Sequence, residues 1–171
     1  IPTASLTEEI DFYVDEAKEE LIKLGLNIDE LDISNSSVAE ISQKLHKNDY
    51  IYISGGNTFF LLQELKRTGS DEIIKSLVEK GKHYIGESAG TIILSKNIEY
   101  IKSMDDYQNT ILNDLSGLSL LDFYPLPHFG NFPFEDITKN IIEKYKNKLE
   151  IVPFSNSEII IVNNLESKRI N

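Results

Sequence analysis

The chain contains no cysteine among its 171 residues. Disulfide bonds, thiolate metal sites and cysteine nucleophiles are therefore excluded, so any covalent catalysis must use an oxygen or an amine. A protein without disulfides suits a reducing compartment, and we expect this one to be cytoplasmic.

Long apolar runs and excess positive charge are also absent. No apolar stretch approaches the roughly 20 residues that span a bilayer, and no charged-then-apolar leader opens the sequence. The formal net charge is -11, from 28 acidic and 17 basic side chains, which opposes binding to phosphate backbones and anionic membranes. We therefore expect no nucleic acid and no membrane partner. Because no His, Asp or Glu cluster has metal-ligand spacing, we also expect no metal, and no cofactor is required.

The chain does contain a regular alternation of strand and helix patterns. Helices are predicted over residues 7–26, 36–46, 58–67, 71–80, 91–94 and 134–148, and strands over residues 27–33, 49–54, 82–85, 118–126, 150–154 and 158–162. This alternation predicts an α/β fold in which crossover helices connect the strands of a mainly parallel sheet. The length predicts a single domain over residues 1–171.

The pentapeptide Gly86-Glu87-Ser88-Ala89-Gly90 lies between a strand pattern and a helix pattern, where it resembles a nucleophile elbow. A strained strand-to-helix turn lifts a serine hydroxyl to the carboxyl edge of the sheet, where a base can reach it. Side chains at Gly86 and Gly90 would collide with the neighbouring strand and helix. The alternative interpretation is an ordinary glycine-bounded turn between a strand and a helix.

A serine nucleophile needs a base, and the chain offers three histidines. His46 lies among lysines at a polar helix end, which favours a solvated cation. His83 lies inside the strand before the elbow, so its side chain points across the sheet. His128 follows a predicted strand and should reach the same sheet edge as Ser88, which makes it the best candidate base, although an exposed loop histidine remains the alternative.

The segment Ser54-Gly55-Gly56-Asn57-Thr58 ends another predicted strand. Consecutive glycines let backbone N–H groups approach a ligand closely, and Asn57 or Thr58 can cap the next helix. In a hydrolase this loop would stabilise an oxyanion together with the N–H of Ala89. The alternative is a tight turn with a helix cap.

The residue that would orient the histidine is ambiguous in the sequence. Asp105, Asp106 and Asp114 lie between the elbow and His128, Glu87 precedes Ser88, and Glu158 follows the last predicted turn. Most acids in so acidic a chain are simply solvated, so the residues alone do not select among these five.

Three motifs together resemble the dipeptidase E family of serine peptidases, which includes aspartyl dipeptidases and is related to cyanophycinases. They are Tyr52-Ile53-Ser54-Gly55-Gly56-Asn57-Thr58, Tyr84-Ile85-Gly86-Glu87-Ser88-Ala89-Gly90 and Pro127-His128-Phe129, in this order and spacing. The resemblance runs from the first residues to about Val162. It implies a three-layer α/β sandwich that is flavodoxin-like and class I glutamine amidotransferase-like, with serine replacing the cysteine nucleophile.

The resemblance also assigns roles to residues. It implies Ser88 as the nucleophile, His128 as the base, and the N–H groups of Gly56 and Ala89 as the oxyanion hole. Asp106 matches the charge-relay aspartate, with Asp105 as the alternative register.

Two features depart from the family. Some members carry a glutamate after the strand at residues 151–154, where this chain has Ser155-Asn156-Ser157. Members also begin with a strand and a helix before the segment matching Ile1-Pro2-Thr3-Ala4-Ser5, so we expect that this chain lacks them.

The sequence thus predicts a serine exopeptidase that acts on a small peptide substrate through an acyl-enzyme, with N-terminal aspartyl dipeptides as one substrate class. A related amidase or esterase, and a non-catalytic binding or regulatory module of the same fold, are the alternatives. The oligomeric state, monomer or homodimer, is left open.

Overall fold

Helices and strands alternate through residues 1–108, 110–163 and 166–170, which are the residues that the computed structural model describes. The helices of this part are α1 (Phe12–Lys23), α2 (Val38–Lys47), α3 (Thr58–Thr68), α4 (Ser70–Glu79), α5 (Ala89–Ile92) and α6 (Glu135–Tyr145). Its strands are β1 (Tyr50–Ile53), β2 (His83–Gly86), β3 (Tyr124–Leu126), β4 (Ile151–Pro153), β5 (Ile159–Asn163) and β6 (Glu166–Ile170). No helix in these ranges combines the length and apolar character needed to cross a bilayer.

Two parallel strand pairs carry the loops that matter for function. Strand β1 pairs with β2 in a register that places Ile53 opposite Gly86, and β3 pairs with β4 with Leu126 opposite Pro153. In each pair both strands therefore end at the same edge. The α/β class with parallel strands is as predicted, whereas the flavodoxin-like and glutamine amidotransferase-like arrangement stays a prediction.

Helix α3 packs into both hydrophobic clusters of the core. Leu61 and Leu65 belong to the cluster around β1, α2 and α4, whereas Phe59 and Leu62 belong to the cluster that contains Leu126 of β3. All four side chains are fully buried. Because interiors are close-packed, a helix shared by two clusters fixes the two strand pairs relative to each other.

The helix boundaries follow local hydrogen bonding. Asn57 caps α3, since its Oδ1 accepts the Phe60 N–H at 2.9 Å, and Gly69 ends the helix with φ 70°. Helix α1 begins at Phe12 rather than at residue 7, because residues Thr3–Thr7 form a 3₁₀ turn. That turn contacts the loop after β1, where the Asn57 N–H donates to the Ala4 carbonyl at 2.8 Å.

Two predicted strands differ in the structure. Residues 27–33 are irregular: Leu31 and Ile33 are buried as their alternation indicates, but the Ile33 N–H donates to the Thr3 hydroxyl instead of to a strand. Within 118–126 only Tyr124–Leu126 is a strand. Leu118 and Leu120 instead donate their N–H groups to carbonyls after α5, and Ser119 adopts φ 54°.

The two predicted C-terminal strands do not pair with each other. Strand β5 pairs in antiparallel fashion with β6, for which the sequence predicts no strand. Strand β4 pairs with β3 instead. The turn at residues 155–157 therefore lies at the edge where β3 also ends.

Candidate active site

Ser88 occupies a strained turn between β2 and α5. Its backbone has φ 46° and ψ -108°, a combination that is costly for a residue with a Cβ. The turn is held by the Ser88 carbonyl, which accepts the N–H groups of Thr91 and Ile92 at 2.9 and 3.0 Å. Strain of this kind persists where the surrounding structure requires one side-chain position, which here is that of the Ser88 hydroxyl.

The glycines on either side of Ser88 are required by close packing. A Cβ on Gly90 would lie 2.2 Å from the carbonyl oxygen of Ile53 in β1, and one on Gly86 would lie 2.6 Å from the carbonyl oxygen of Gly90. Both distances are too short for any larger residue. The predicted collisions with the neighbouring strand and helix are thereby confirmed.

The structure brings Ser88 and His128 together. The Oγ of Ser88 lies 2.8 Å from Nε2 of His128, across 40 residues of sequence. The imidazole stacks on Phe134 with ring centroids 4.9 Å apart. The other two histidines lie elsewhere: His46 bonds to the Ser42 carbonyl, and His83 stacks on Tyr50.

The second nitrogen of His128 contacts an amide rather than a carboxylate. Its Nδ1 lies 2.7 Å from Oδ1 of Asn156. Because β3 and β4 are parallel and end together, His128 and Asn156 follow their strands at one edge. The described partner of Nδ1 is thus an amide, and the assignment of Asp106, or of Asp105 in the alternative register, as the charge-relay residue stays a prediction.

The two aspartates themselves bond to backbone groups. Asp105 accepts the Thr58 N–H on Oδ2 at 2.9 Å, and Asp106 accepts the Gln108 N–H on Oδ1 at 2.8 Å. Burial raises the pKa of Asp105, while hydrogen bonds from Thr58 and the charge of His128 act in the opposite direction. The net result is an Asp105 carboxyl that holds its proton more tightly than a solvated one.

The remaining candidate acids have other partners. Asp114 pairs with Lys66 at 2.8 Å. Glu87 accepts the hydroxyl of Tyr52. Glu158 accepts the Ser155 N–H at 2.7 Å and so helps to fix the turn that carries Asn156.

The predicted oxyanion donors lie in the loops that follow β1 and β2. Gly56 has φ 129°, and a Cβ there would lie 2.3 Å from the main chain of Ala4. Within the described ranges, neither the Gly56 N–H nor the Ala89 N–H has a hydrogen-bond acceptor in the protein. Both groups are thus available to a ligand, and their role stays a prediction.

Tyr13 lies close to the serine and is exposed to the charge of several carboxylates. Tyr13 and Ser88 both lie against Gly55, where a Cβ would stand 3.6 Å from Tyr13 Cε2 and 3.9 Å from Ser88 Oγ. Burial raises the pKa of Tyr13 to about 12, and the charges of Glu8, Glu87, Asp11 and Asp105 add to the increase.

A cavity of about 440 Å³ lies beside Asn57. Glu8, Glu9 and Asp106 line it together with apolar Ile10 and Phe60, and no basic side chain of the described residues takes part. The lining of this cavity therefore favours a cationic group on a ligand.

Sequence reasoning missed Asn156 and Tyr13. Asn156 follows β4 as His128 follows β3, but an amide in a turn gives no local signal of this role. Tyr13 gives no local signal because it lies on a helix far from every motif.

Comparison with known proteins places this geometry in a family. The model of peptidase family S51 matches residues 1–170. An uncharacterized peptidase of Listeria monocytogenes is 52% identical over 97% of this chain and 82% of its own length. Peptidase E of Salmonella newport is 34% identical over 77% of this chain and 54% of its own length.

A solved structure agrees with these relatives. The crystal structure of a candidate Peptidase E protein from Listeria monocytogenes EGD-e has a TM-score of 0.95 at 49% identity, covering 99% of this chain and 82% of that one. The match extends past Val162, where the resemblance in the motifs was expected to end. The chain therefore belongs to peptidase family S51, and it is a serine-type peptidase.

Proposed function

We propose that this peptidase hydrolyses short peptides as an exopeptidase, with Ser88 as its nucleophile and His128 as its general base. The observation that carries the proposal is the 2.8 Å contact between Ser88 Oγ and His128 Nε2 at a strained turn. A hydroxyl bonded to an imidazole nitrogen can be deprotonated as it attacks a carbonyl.

The proposed reaction uses only groups of the chain and water. His128 Nε2 takes the Ser88 proton while Oγ bonds to the scissile carbonyl carbon. The N–H groups of Gly56 and Ala89 hold the oxyanion, and each such donor contributes about 3–4 kcal/mol of barrier lowering. The imidazolium then protonates the leaving amine as the C–N bond breaks, and water, activated by the same nitrogen, hydrolyses the acyl-enzyme.

The charges near the site support a substrate with a free amino terminus. The charges of Glu8, Glu87 and Asp105 act on Tyr13, which lies beside Ser88. Negative charge there attracts the ammonium group of a substrate and repels a side-chain carboxylate such as that of aspartate. The aspartyl preference that the resemblance implies would require a cation, and the described lining of the cavity supplies none. We therefore expect N-terminal alanine, leucine or lysine to be accepted ahead of aspartate.

Replacement of the serine tests the mechanism. We expect Ser88→Ala to lower kcat by about 10⁴-fold or more while the fold remains intact. Ser103→Ala, which removes an exposed hydroxyl, serves as the matched control and should retain full turnover. A fluorophosphonate should label the parent at Ser88 and leave Ser88→Ala unlabelled; equal turnover by Ser88→Ala and the parent would refute the proposal.

A dipeptide panel tests the substrate class. Dipeptides with N-terminal Asp, Ala, Leu or Lys are compared with their N-acetylated forms, which lack the ammonium group. We expect cleavage of the free forms and loss of cleavage on acetylation. Equal rates on both would exclude exopeptidase recognition of the amino terminus.

A further inference from the structure

We infer that Asn156 is the positioning residue of this site, so that the chain uses a Ser-His-Asn arrangement in place of one completed by a carboxylate. The inference rests on the proposed function and adds to it the residue that sets the protonation pattern of His128. Neither Asp105 nor Asp106 has to contact the ring in this arrangement.

The two contacts of the imidazole determine where its proton lies. The Asn156 Oδ1 that faces Nδ1 at 2.7 Å is a carbonyl oxygen, which can only accept. Nδ1 must therefore carry the proton in the neutral ring. Nε2 is left with its lone pair toward Ser88 Oγ, which is the form that can accept the serine proton.

Asn156 is itself held in place by the loop that carries His128. Its N–H donates to Oδ1 of Asn131 at 2.9 Å, and the Asn131 N–H donates to the carbonyl of His128 at 3.0 Å. The Phe129 N–H also donates to the Phe154 carbonyl at 3.0 Å. The loop after β3 and the turn after β4 are thus joined on both sides of the ring contact, as a positioning residue requires.

An amide oxygen and a carboxylate oxygen can both accept the Nδ1 proton of His128, but only the carboxylate carries a charge. The amide orients the ring, yet it adds no negative charge against the imidazolium that forms during attack. Burial raises the pKa of Asp105, the charge of His128 partly opposes that increase, and the Asp105 carboxylate accepts the Thr58 N–H. Asn156 therefore supplies orientation without charge.

Two substitutions separate orientation from charge. Asn156→Leu keeps the size of the side chain and removes the acceptor, and we expect kcat to fall about 100-fold with KM nearly unchanged. Asn156→Asp keeps an acceptor and adds a negative charge. We expect its kcat to lie between that of the parent and a value about 10-fold higher. Because the added charge favours the imidazolium, the acid limb of its kcat/KM profile should move to higher pH.

Asn147→Leu, on the exposed surface after α6, is the matched control and should leave both parameters unchanged. A merely structural role for Asn156 would leave the acid limb of Asn156→Asp in place, and that result would overturn the inference. So would an Asn156→Leu variant with the kcat of the parent.

A measurement that does not depend on catalytic turnover tests this inference independently of the proposed function. Long-range ¹H–¹⁵N NMR of the imidazole nitrogens, assigned with His46→Gln and His83→Gln, should show a protonated Nδ1 in neutral His128 of the parent and its loss in Asn156→Leu. A protonated Nε2 in the parent would overturn the role of Asn156 while leaving Ser88 untouched. Conversely, full activity of Ser88→Ala would remove the proposed function while the Nδ1 proton could still be observed.

Discussion

At the residue scale, Asp105 combines a charge with burial. Its carboxylate accepts the Thr58 N–H beside the start of α3, and burial raises its pKa above the usual 3.8. The folded state therefore binds the proton more tightly than the unfolded state, so this group lowers stability as the pH rises through the window above 3.8. We expect Asp105→Asn, which keeps an acceptor for Thr58, to be more stable than the parent at pH 7.

The stability difference should depend on pH in a defined direction. In urea titrations from pH 4 to pH 8, the gain from Asp105→Asn should be largest at pH 7 and above, and should shrink toward pH 4 as the parent carboxyl becomes protonated. Asp122→Asn is the control, because the Asp122 side chain is 75% exposed in its pair with Lys96 and should change stability by less than about 0.5 kcal/mol. A gain that is constant with pH would contradict the assignment to charge burial.

The positions of site residues could be predicted from the sequence where the chemistry permits few residue types. The strained turn at Ser88 was predictable because such a turn tolerates few residue types, and the contact with His128 because few imidazoles are available. The contact of Asn156 with His128 was not predictable, because asparagine is a common turn residue and its presence in a turn does not indicate a functional role. Its contact depends on the register of β3 and β4, which lies beyond local sequence.

At the element scale, α5 lies in close contact with β1. A Cβ on Gly90 would overlap the carbonyl of Ile53, so Gly90→Ala must push the helix away from the strand and move the Ser88 turn with it. A displacement of about 1 Å at a nucleophile costs on the order of 100-fold in rate. We expect this loss of kcat/KM, together with a destabilisation of about 3 kcal/mol measured in urea.

Gly81→Ala provides the matched control at the opposite end of β2. Gly81 has φ 97° and open space around its α-carbon, so alanine there adds backbone strain without a collision. It should lose stability but keep the kcat/KM of the parent. If Gly90→Ala also kept its activity, the packing of α5 on β1 would not be what positions Ser88.

Elements with an amphipathic face were predicted well and extended segments less well. Helices α2, α3, α4 and α6 lie close to their predicted bounds because helical periodicity reports a buried face directly. The alternation of apolar and polar residues at 27–33 correctly indicated which side chains are buried. A strand, however, also needs a neighbouring strand with free backbone N–H and C=O groups. For Ile33 that partner is the Thr3 hydroxyl, which no local pattern reveals.

At the scale of the whole molecule, charge opposes compaction. The net charge is -11, and the excess acidic side chains repel one another more strongly in the folded chain than in the expanded one. Salt shortens the screening length from about 30 Å at 0.01 M to about 10 Å at 0.1 M. We therefore expect the urea midpoint at pH 7 to rise between 10 and 200 mM sodium chloride. Urea is the required denaturant, because guanidinium chloride would itself supply the salt.

Salt also has an opposite effect on stability, because it weakens the attraction within surface ion pairs. Pairs such as Lys18 with Glu30 and Lys96 with Asp122 are largely exposed, and each contributes at most about 1 kcal/mol. Repulsion should prevail because the acidic side chains outnumber the basic ones by 28 to 17. At pH 5.5, closer to the isoelectric point of about 4.7, the net charge is smaller and the salt effect should shrink. A midpoint that falls with salt at pH 7 would mean instead that the ion pairs outweigh the net repulsion.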